Sequence, residues 1–156
     1  MLRAGLLRVS PSDPTLRMAS RADLPSVETM LGAADLPVAG VAEFIDGFVV
    51  AEVDGDLVGV AGLESHGEDG VLRSVVVSPS FRGRGLGARL TERVLEAARA
   101  VGLRRLYLLT TTAEAYFPRH GFRRIERADA SEAVQQSVEF REACPASAVS
   151  MVLELE

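Results

Sequence analysis

Two periodicities divide the chain into strands and helices. FVVAEV, Phe48 to Val53, is rich in β-formers and meets DLVGVAGLES across Asp54-Gly55. That dipeptide suits the positive φ angles of a tight turn, so the two runs predict an antiparallel hairpin. A turn over Gly67 to Gly70 leads into VLRSVVV, Val71 to Val77, a β-branched run that reads as a central strand ended by Pro79. From Gly85 to Val101 the period lengthens. Leu86, Leu90, Val94, Ala97, Ala98 and Val101 recur at helical spacing, Glu92, Arg93, Glu96 and Arg99 take the opposite face, and Gly102 is the expected stop. Leu106 to Thr110 then reads as a buried strand that returns parallel to Val71–Val77 through a right-handed crossover.

The flanks are weaker. Thr15 to Ser20 predicts a first strand, and Ser20 or Asp23 caps a helix through LPSVETMLGAA, followed by a polar connection. Beyond Thr110, TAEAYFPRHG suggests a short helix strained by Pro118, FRRIER a strand, SEAVQQS a polar helical segment and ASAVSMVLEL a last strand. The apolar run Ala148 to Val152 marks that strand as core, available to pair across a homodimer. The pattern predicts one α/β (α+β) domain over residues 15–156, a mixed and mostly antiparallel sheet flanked by helices. A disordered extension over residues 1–14 precedes it.

Composition narrows the function. A chain of 156 residues fits one domain, and a formal net charge of -5 argues against a general nucleic-acid binder, which needs a basic surplus. No apolar stretch approaches the roughly 20 residues of a membrane helix, and arginines interrupt the N-terminal leucines, so neither a span nor a secretory signal is expected. Cys144 is the single cysteine, which excludes an internal disulfide and fits a reducing cytoplasm. His66 and His120 show no metal-ligand spacing, and no metal is expected.

One stretch breaks the ordinary rules of charge. FRGRGLGARL, Phe81 to Leu90, gathers Arg82, Arg84 and Arg89 at the start of the long helix, and no acidic residue follows until Glu92. Helix N-termini favour acids, because their unpaired N–H groups and the macrodipole are already positive. An anionic ligand resolves the conflict. Gly83, Gly85 and Gly87 leave backbone amides open to phosphate oxygens, with the arginines at the rim. Two familiar phosphate loops fit poorly. The Gly-Lys-Ser/Thr ending of a P-loop is absent, and the spacing of a dinucleotide fingerprint is broken by Pro79 to Arg82 and by the threonine that ends LYLLT.

The pattern Arg-x-x-Gly-x-Gly at Arg82, Gly85 and Gly87, between VVVSP and a long helix, resembles the GNAT family of acetyl-CoA-dependent N-acetyltransferases, and HGF, His120 to Phe122, resembles that family's closing motif. Within the family, Leu72–Ser74, Leu108–Glu114 and Cys144–Val149 are similar to amino-acid N-acetyltransferases related to N-acetylglutamate synthases, and to members associated with arsenic-resistance operons. The resemblance implies acetyl-CoA as co-substrate and a sheet splayed between its two parallel strands. It further implies pantetheine against Val75, Val76 and Val77, pyrophosphate on Arg82, Gly83, Arg84, Gly85, Leu86, Gly87 and Ala88, and an N–H near Val75 for the tetrahedral oxyanion.

Direct acetyl transfer to an amine also needs a proton acceptor. Glu64, ending a strand Leu57 to Leu63, is the first candidate base, with His66 second. Many family members place a tyrosine four residues before the glycine of the closing Gly-Phe, where it protonates the departing thiolate. Phe117 stands there, packing on cofactor or substrate, and Tyr116 is one residue off. Arg73 and Ser74, on opposite faces of their strand, and Thr110 and Thr111 are candidates for gripping a small-molecule substrate carboxylate or similar oxyanion. An N-acetyltransferase of small amino acids or amino-acid-like, including arsenical, molecules is the leading expectation. A non-catalytic acyl-CoA-binding module is the alternative, and a nucleotide-binding oxidoreductase stands third.

Overall fold

The computed structural model describes residues 13–143 and 147–155, so Cys144 and the first twelve residues of the expected extension lie outside the described residues. Seven strands form one sheet: β1 Thr15–Met18, β2 Phe48–Val53, β3 Asp56–His66, β4 Asp69–Val77, β5 Arg105–Thr110, β6 Arg123–Ile125 and β7 Val149–Glu154. Their order across the sheet is β1-β2-β3-β4-β5-β7-β6. The β4–β5 pair is parallel and all the others are antiparallel. The helices are α1 Leu24–Ala33, α2 Val41–Phe44, α3 Leu86–Ala100 and α4 Glu132–Gln135. Among the described residues, no helix is long and apolar enough to cross a membrane.

The α3 helix covers one face of the sheet, where Leu86, Leu90, Val94, Leu95 and Ala98 pack on Val49, Ala61, Leu63, Leu72, Leu106 and Leu108. Burying each of the larger of these side chains contributes about 2 kcal/mol. The apolar stripe is rotated from its expected position: Leu95 and Thr91 are inside, and Val101, expected inside, is 65% exposed just past the helix end. On the other face α1 and α2 pack on Phe48, Val50 and Val60. Val134 and Phe140 cover Val71, Tyr107 and Val152.

Several expected elements shift. The connection after α1 is not simply polar, because Val41 and Ile45 are buried in it, and Val41 belongs to α2. TAEAYFPRHG contributes only a 3-10 turn over Phe117–His120. β3 runs three residues past its expected end at Leu63, so Glu64 lies inside a strand instead of at its end. β7 is paired within the chain on both edges over Ser150–Val152, to β5 and to β6, so those residues leave no open edge.

Two polar clusters tie the layers together. Arg17 in β1 donates to both oxygens of Asp23, at 2.8 and 2.9 Å, and pairs with Glu52 of β2. Hydrogen bonding to Arg17 holds the Asp23 carboxyl down at about 2, from an ordinary 3.8. Deeper inside, Arg73 of β4 and Glu64 of β3 form an ion pair at 2.7 Å, with exposures of 3% and 1%. Arg73 Nη1 also donates to the Ala39 carbonyl at 2.6 Å and Nη2 to that of Pro37 at 2.9 Å. His66 Nε2 lies 2.9 Å from the other Glu64 oxygen, and Glu139 lies 3.6 Å from Nη2. The guanidinium thus clamps the α1–α2 connection to the sheet. Gly40 belongs to that clamp: its φ is +85°, and a Cβ there would lie 3.1 Å from Nη1.

The two clusters behave differently when broken. Because the Asp23 value falls on folding, its contribution is present above pH 4 and fades as pH drops through 2. Urea midpoints measured from pH 5 to pH 2 should fall less in Asp23→Asn than in the wild type. Glu64→Gln leaves a buried guanidinium short of its main counter-charge and should cost about 3 kcal/mol, read from the same urea midpoint at pH 7.

Candidate active site

β4 and β5 pair as parallel neighbours only from Asp69–Arg105 to Val71–Tyr107. Beyond that point β4 stays paired to β3 as far as Val77, and β5 to β7 as far as Thr110, so their facing edges separate. The register between β3 and β4 slips by one residue between Val60 and Gly62, which places Ser74 and Val75 together opposite Ala61. This is a β-bulge, and it holds Ser74 at φ +61°, a left-handed conformation a serine rarely takes. A cavity of about 880 Å³ opens at the separation. Leu72 to Val75 form one wall, Leu108 to Ala113 another, and Leu36 to Val38 a third.

The bulge changes what alternation along the strand predicted: Arg73 and Ser74 line the same cavity. Their side chains are linked, since Arg73 Nε donates to Ser74 Oγ at 2.9 Å. The sequence offers Arg73 as a candidate grip on a substrate oxyanion. It is buried, and all three of its nitrogens donate within the protein. Thr110 and Thr111 both reach the cavity, and Thr110 Oγ1 accepts from the Ala113 N–H at 3.0 Å, shaping the turn that follows β5.

Glu64 is not among the residues lining this cavity, and Arg73 and His66 occupy its two oxygens. His66 is also off the cavity wall, its ring 5.2 Å from that of Phe44. Phe117 lines the cavity and packs edge-on against Tyr116 and Phe122. Tyr116 lines it too, one residue before the position where sequence comparison looks for it.

The glycine–arginine stretch lies directly beyond β4. Gly83 and Gly85 have φ of +78° and +80°, and a Cβ on either would meet nothing within 4 Å. Gly85 is the N-cap of α3, whose first turn carries no acidic residue, so its amides lack helical acceptors and face an open, positive space. Arg82 Nε returns to the Val77 carbonyl at 3.0 Å, and Arg84 lies over the Phe81 ring at 5.0 Å. Among the described residues, no carboxylate forms a salt bridge with Arg82, Arg84 or Arg89. These residues fit a pyrophosphate: open backbone, aligned amides and unneutralised cations. Val76, Val77 and Arg82 also line a second cavity of about 500 Å³ against α1.

Some of the site was not found from sequence. The contacts of Arg73 with Pro37, Ala39 and Glu139 span 34 to 66 positions and leave no local signature. His120 stands four residues after Tyr116, a spacing that brings side chains together on a helical turn, and their pairing was open to prediction on that ground.

Comparison with known proteins agrees with this geometry. Residues 34–122 match the model of the Acetyltransferase (GNAT) family. An amino-acid acetyltransferase of Mycobacterium tuberculosis is 32% identical over 123 residues, spanning 72% of this chain and 70% of that protein. An amino-acid acetyltransferase of Ralstonia nicotianae is 42% identical over 80 residues, half of this chain but only 18% of that protein. Among solved structures, Rv2747 from Mycobacterium tuberculosis, in complex with CoA and NLQ, superposes with a TM-score of 0.77 at 27% identity, covering 92% of this chain and all of that one. N-acetylglutamate synthase from Neisseria gonorrhoeae, complexed with coenzyme A and N-acetyl-glutamate, shares the fold at a TM-score of 0.78 and 21% identity, covering 99% of this chain and 37% of that one. A sheet that parts between two parallel strands beside an arginine-flanked helix start, a family match over more than half of its length, and a relative aligned along most of both chains place this chain in the Acetyltransferase (GNAT) family.

Proposed function

We propose that this protein transfers the acetyl group of acetyl-CoA directly to the amine of a small amino acid. The observation that carries the reading is a cavity of about 880 Å³ where β4 leaves β5, followed along the chain by a helix start whose glycines and arginines fit a pyrophosphate. The names of the relatives support the amino-acid acceptor.

In this reading the amides of Gly83 to Ala88 hold the pyrophosphate, with Arg82 and Arg84 at the rim. Val75 to Val77 offer backbone groups to the pantetheine arm along the unpaired edge of β4. The thioester carbonyl then sits by the bulge, where a Val75 N–H stabilises charge on the tetrahedral oxyanion. Ser74, Thr110 and Thr111 contact the acceptor by hydrogen bonding, and Phe117 packs beneath the reacting groups. Arg73 acts on the acceptor indirectly, by holding the carbonyls of Pro37 and Ala39 and so fixing Pro37 and Val38 in the cavity wall. An arsenic-containing amino acid as acceptor is a finer form of the same reading, supported by the likeness of Leu72–Ser74, Leu108–Glu114 and Cys144–Val149.

The test is release of free CoA thiol from acetyl-CoA, followed with a panel of amino acids, their phosphinic and arsenical analogues, polyamines and a lysine peptide. Turnover with an amino acid above the no-amine background is expected. Tight acetyl-CoA binding with silence across the panel would favour an acyl-CoA-binding module instead. Gly85→Asp places a carboxylate in the open space before α3 and should weaken acetyl-CoA at least about tenfold by calorimetry, a loss of roughly 1.4 kcal/mol. Unchanged affinity in a variant that still melts cooperatively would remove the cradle.

A further inference from the structure

A second chain of polar side chains starts at the cavity wall and uses none of the residues described above as holding cofactor. The Tyr116 hydroxyl lies 3.1 Å from His120 Nε2, and His120 Nδ1 lies 2.8 Å from Glu92 Oε2. Tyr116 lines the cavity, the His120 side chain is 9% exposed, and Glu92 stands more than half exposed on the outer side of α3. The three therefore run from the site to solvent. The 3-10 turn Phe117–His120 brings the Tyr116 and His120 rings to 5.1 Å, and the Arg119 guanidinium lies over the Tyr116 ring at 5.9 Å.

The direction of the hydrogen bonds follows from the end group. An ionised carboxylate only accepts, so Nδ1 carries a ring hydrogen, and in the neutral form of the ring that relay requires, Nε2 accepts from the Tyr116 O–H. With its proton directed to His120, the Tyr116 oxygen keeps a lone pair for a donor brought beside it, near the start of α3, where a Cβ on Gly87 would stand 3.7 Å from the hydroxyl. An attacking amine is such a donor, because its nitrogen must lose a proton as it bonds to the thioester carbon. Glu64 does not meet that need from where it stands, off the cavity wall with both oxygens held.

We infer that Tyr116, His120 and Glu92 form the proton relay for amine attack, an inference that rests on the acetyltransfer reading above. As the nitrogen lone pair forms the new C–N bond, the amine proton passes to the Tyr116 oxygen and the hydroxyl proton passes to His120 Nε2. Glu92 holds the resulting imidazolium, whose proton leaves to solvent along the exposed side of α3. The C–S bond then breaks with its electron pair on sulfur, and the thiolate takes a proton from solvent. An acceptor that enters as ammonium sheds one proton beforehand, so the sum is one amide, one CoA thiol and one proton released. Tyr116 is the catalytic residue here, and His120 and Glu92 are positioning residues that act through it.

Initial rates of thiol release with the most active amine of the panel test this in Tyr116→Phe, His120→Gln, Glu92→Gln and Glu92→Asp. Tyr116→Phe and His120→Gln should lose about 100-fold in kcat, with KM for acetyl-CoA and the thermal midpoint close to wild type. Glu92→Gln should lose about tenfold, with most of it restored in Glu92→Asp, since only a carboxylate fixes the ring tautomer. Glu92 is exposed, so its variants carry the test if Tyr116→Phe fails to fold. Full kcat in both Tyr116→Phe and Glu92→Gln, or a loss confined to KM, would overturn the relay while leaving the acetyltransferase intact. A wild type silent with every amine would overturn the relay together with the function it rests on.

Discussion

The rest of the site depends on two neighbouring strands that stop bonding to each other while each stays bonded to its outer neighbour. β4 and β5 are joined over three residue pairs and then part, yet neither frays, because β3 and β7 hold them through Val77 and Thr110. The parting leaves a row of backbone N–H and C=O groups facing a cavity in the middle of a sheet, where edges are normally paired. Such groups are a template for an extended, amide-bearing ligand. The bulge at Ser74 adds local twist at the same place, and a serine held at φ +61° is strain kept where it re-aims a strand at the site.

Electrostatics divides the protein into two positive regions with opposite fates. Arg73 is buried, and Glu64, Glu139 and two carbonyls consume its charge, so it acts as a structural clamp on the cavity wall. A buried ion pair gives little net stability over an apolar replacement, but it is costly to half-remove, which suits a part whose task is to fix one arrangement. Arg82, Arg84 and Arg89 are exposed and lack carboxylate partners among the described residues, at a helix end whose own field is positive. The net charge of -5 for the chain hides this separation.

What the sequence made legible was whatever depends on near neighbours. The Asp54-Gly55 turn, the β-branched run of β4, the crossover through α3 and the glycine–arginine stretch are all short-range patterns, and each appears as an element of the fold. The open glycines and the arginines without carboxylate partners at the start of α3 were readable for the same reason. The acceptor end was not. Glu64 reads as a candidate base at a strand end, but β3 extends to His66 and Arg73 pairs with it, and Arg73 reads as a candidate grip on an oxyanion, but the distant carbonyls of Pro37 and Ala39 take its donors. One inserted residue in β4 puts Arg73 and Ser74 on the same cavity, against the alternation of an ideal strand. Glu92 meets His120 across 28 positions, a contact that only the packing of α3 creates.

The most direct measurement of the central claim is a titration of ¹⁵N-labelled protein with CoA, followed through its backbone amide resonances. The account predicts that the largest shifts fall on Val75 to Val77 and Gly83 to Ala88, the unpaired edge of β4 and the first turn of α3. Shifts that spare both segments and gather elsewhere, for instance along α1 or the β6 edge, would contradict it.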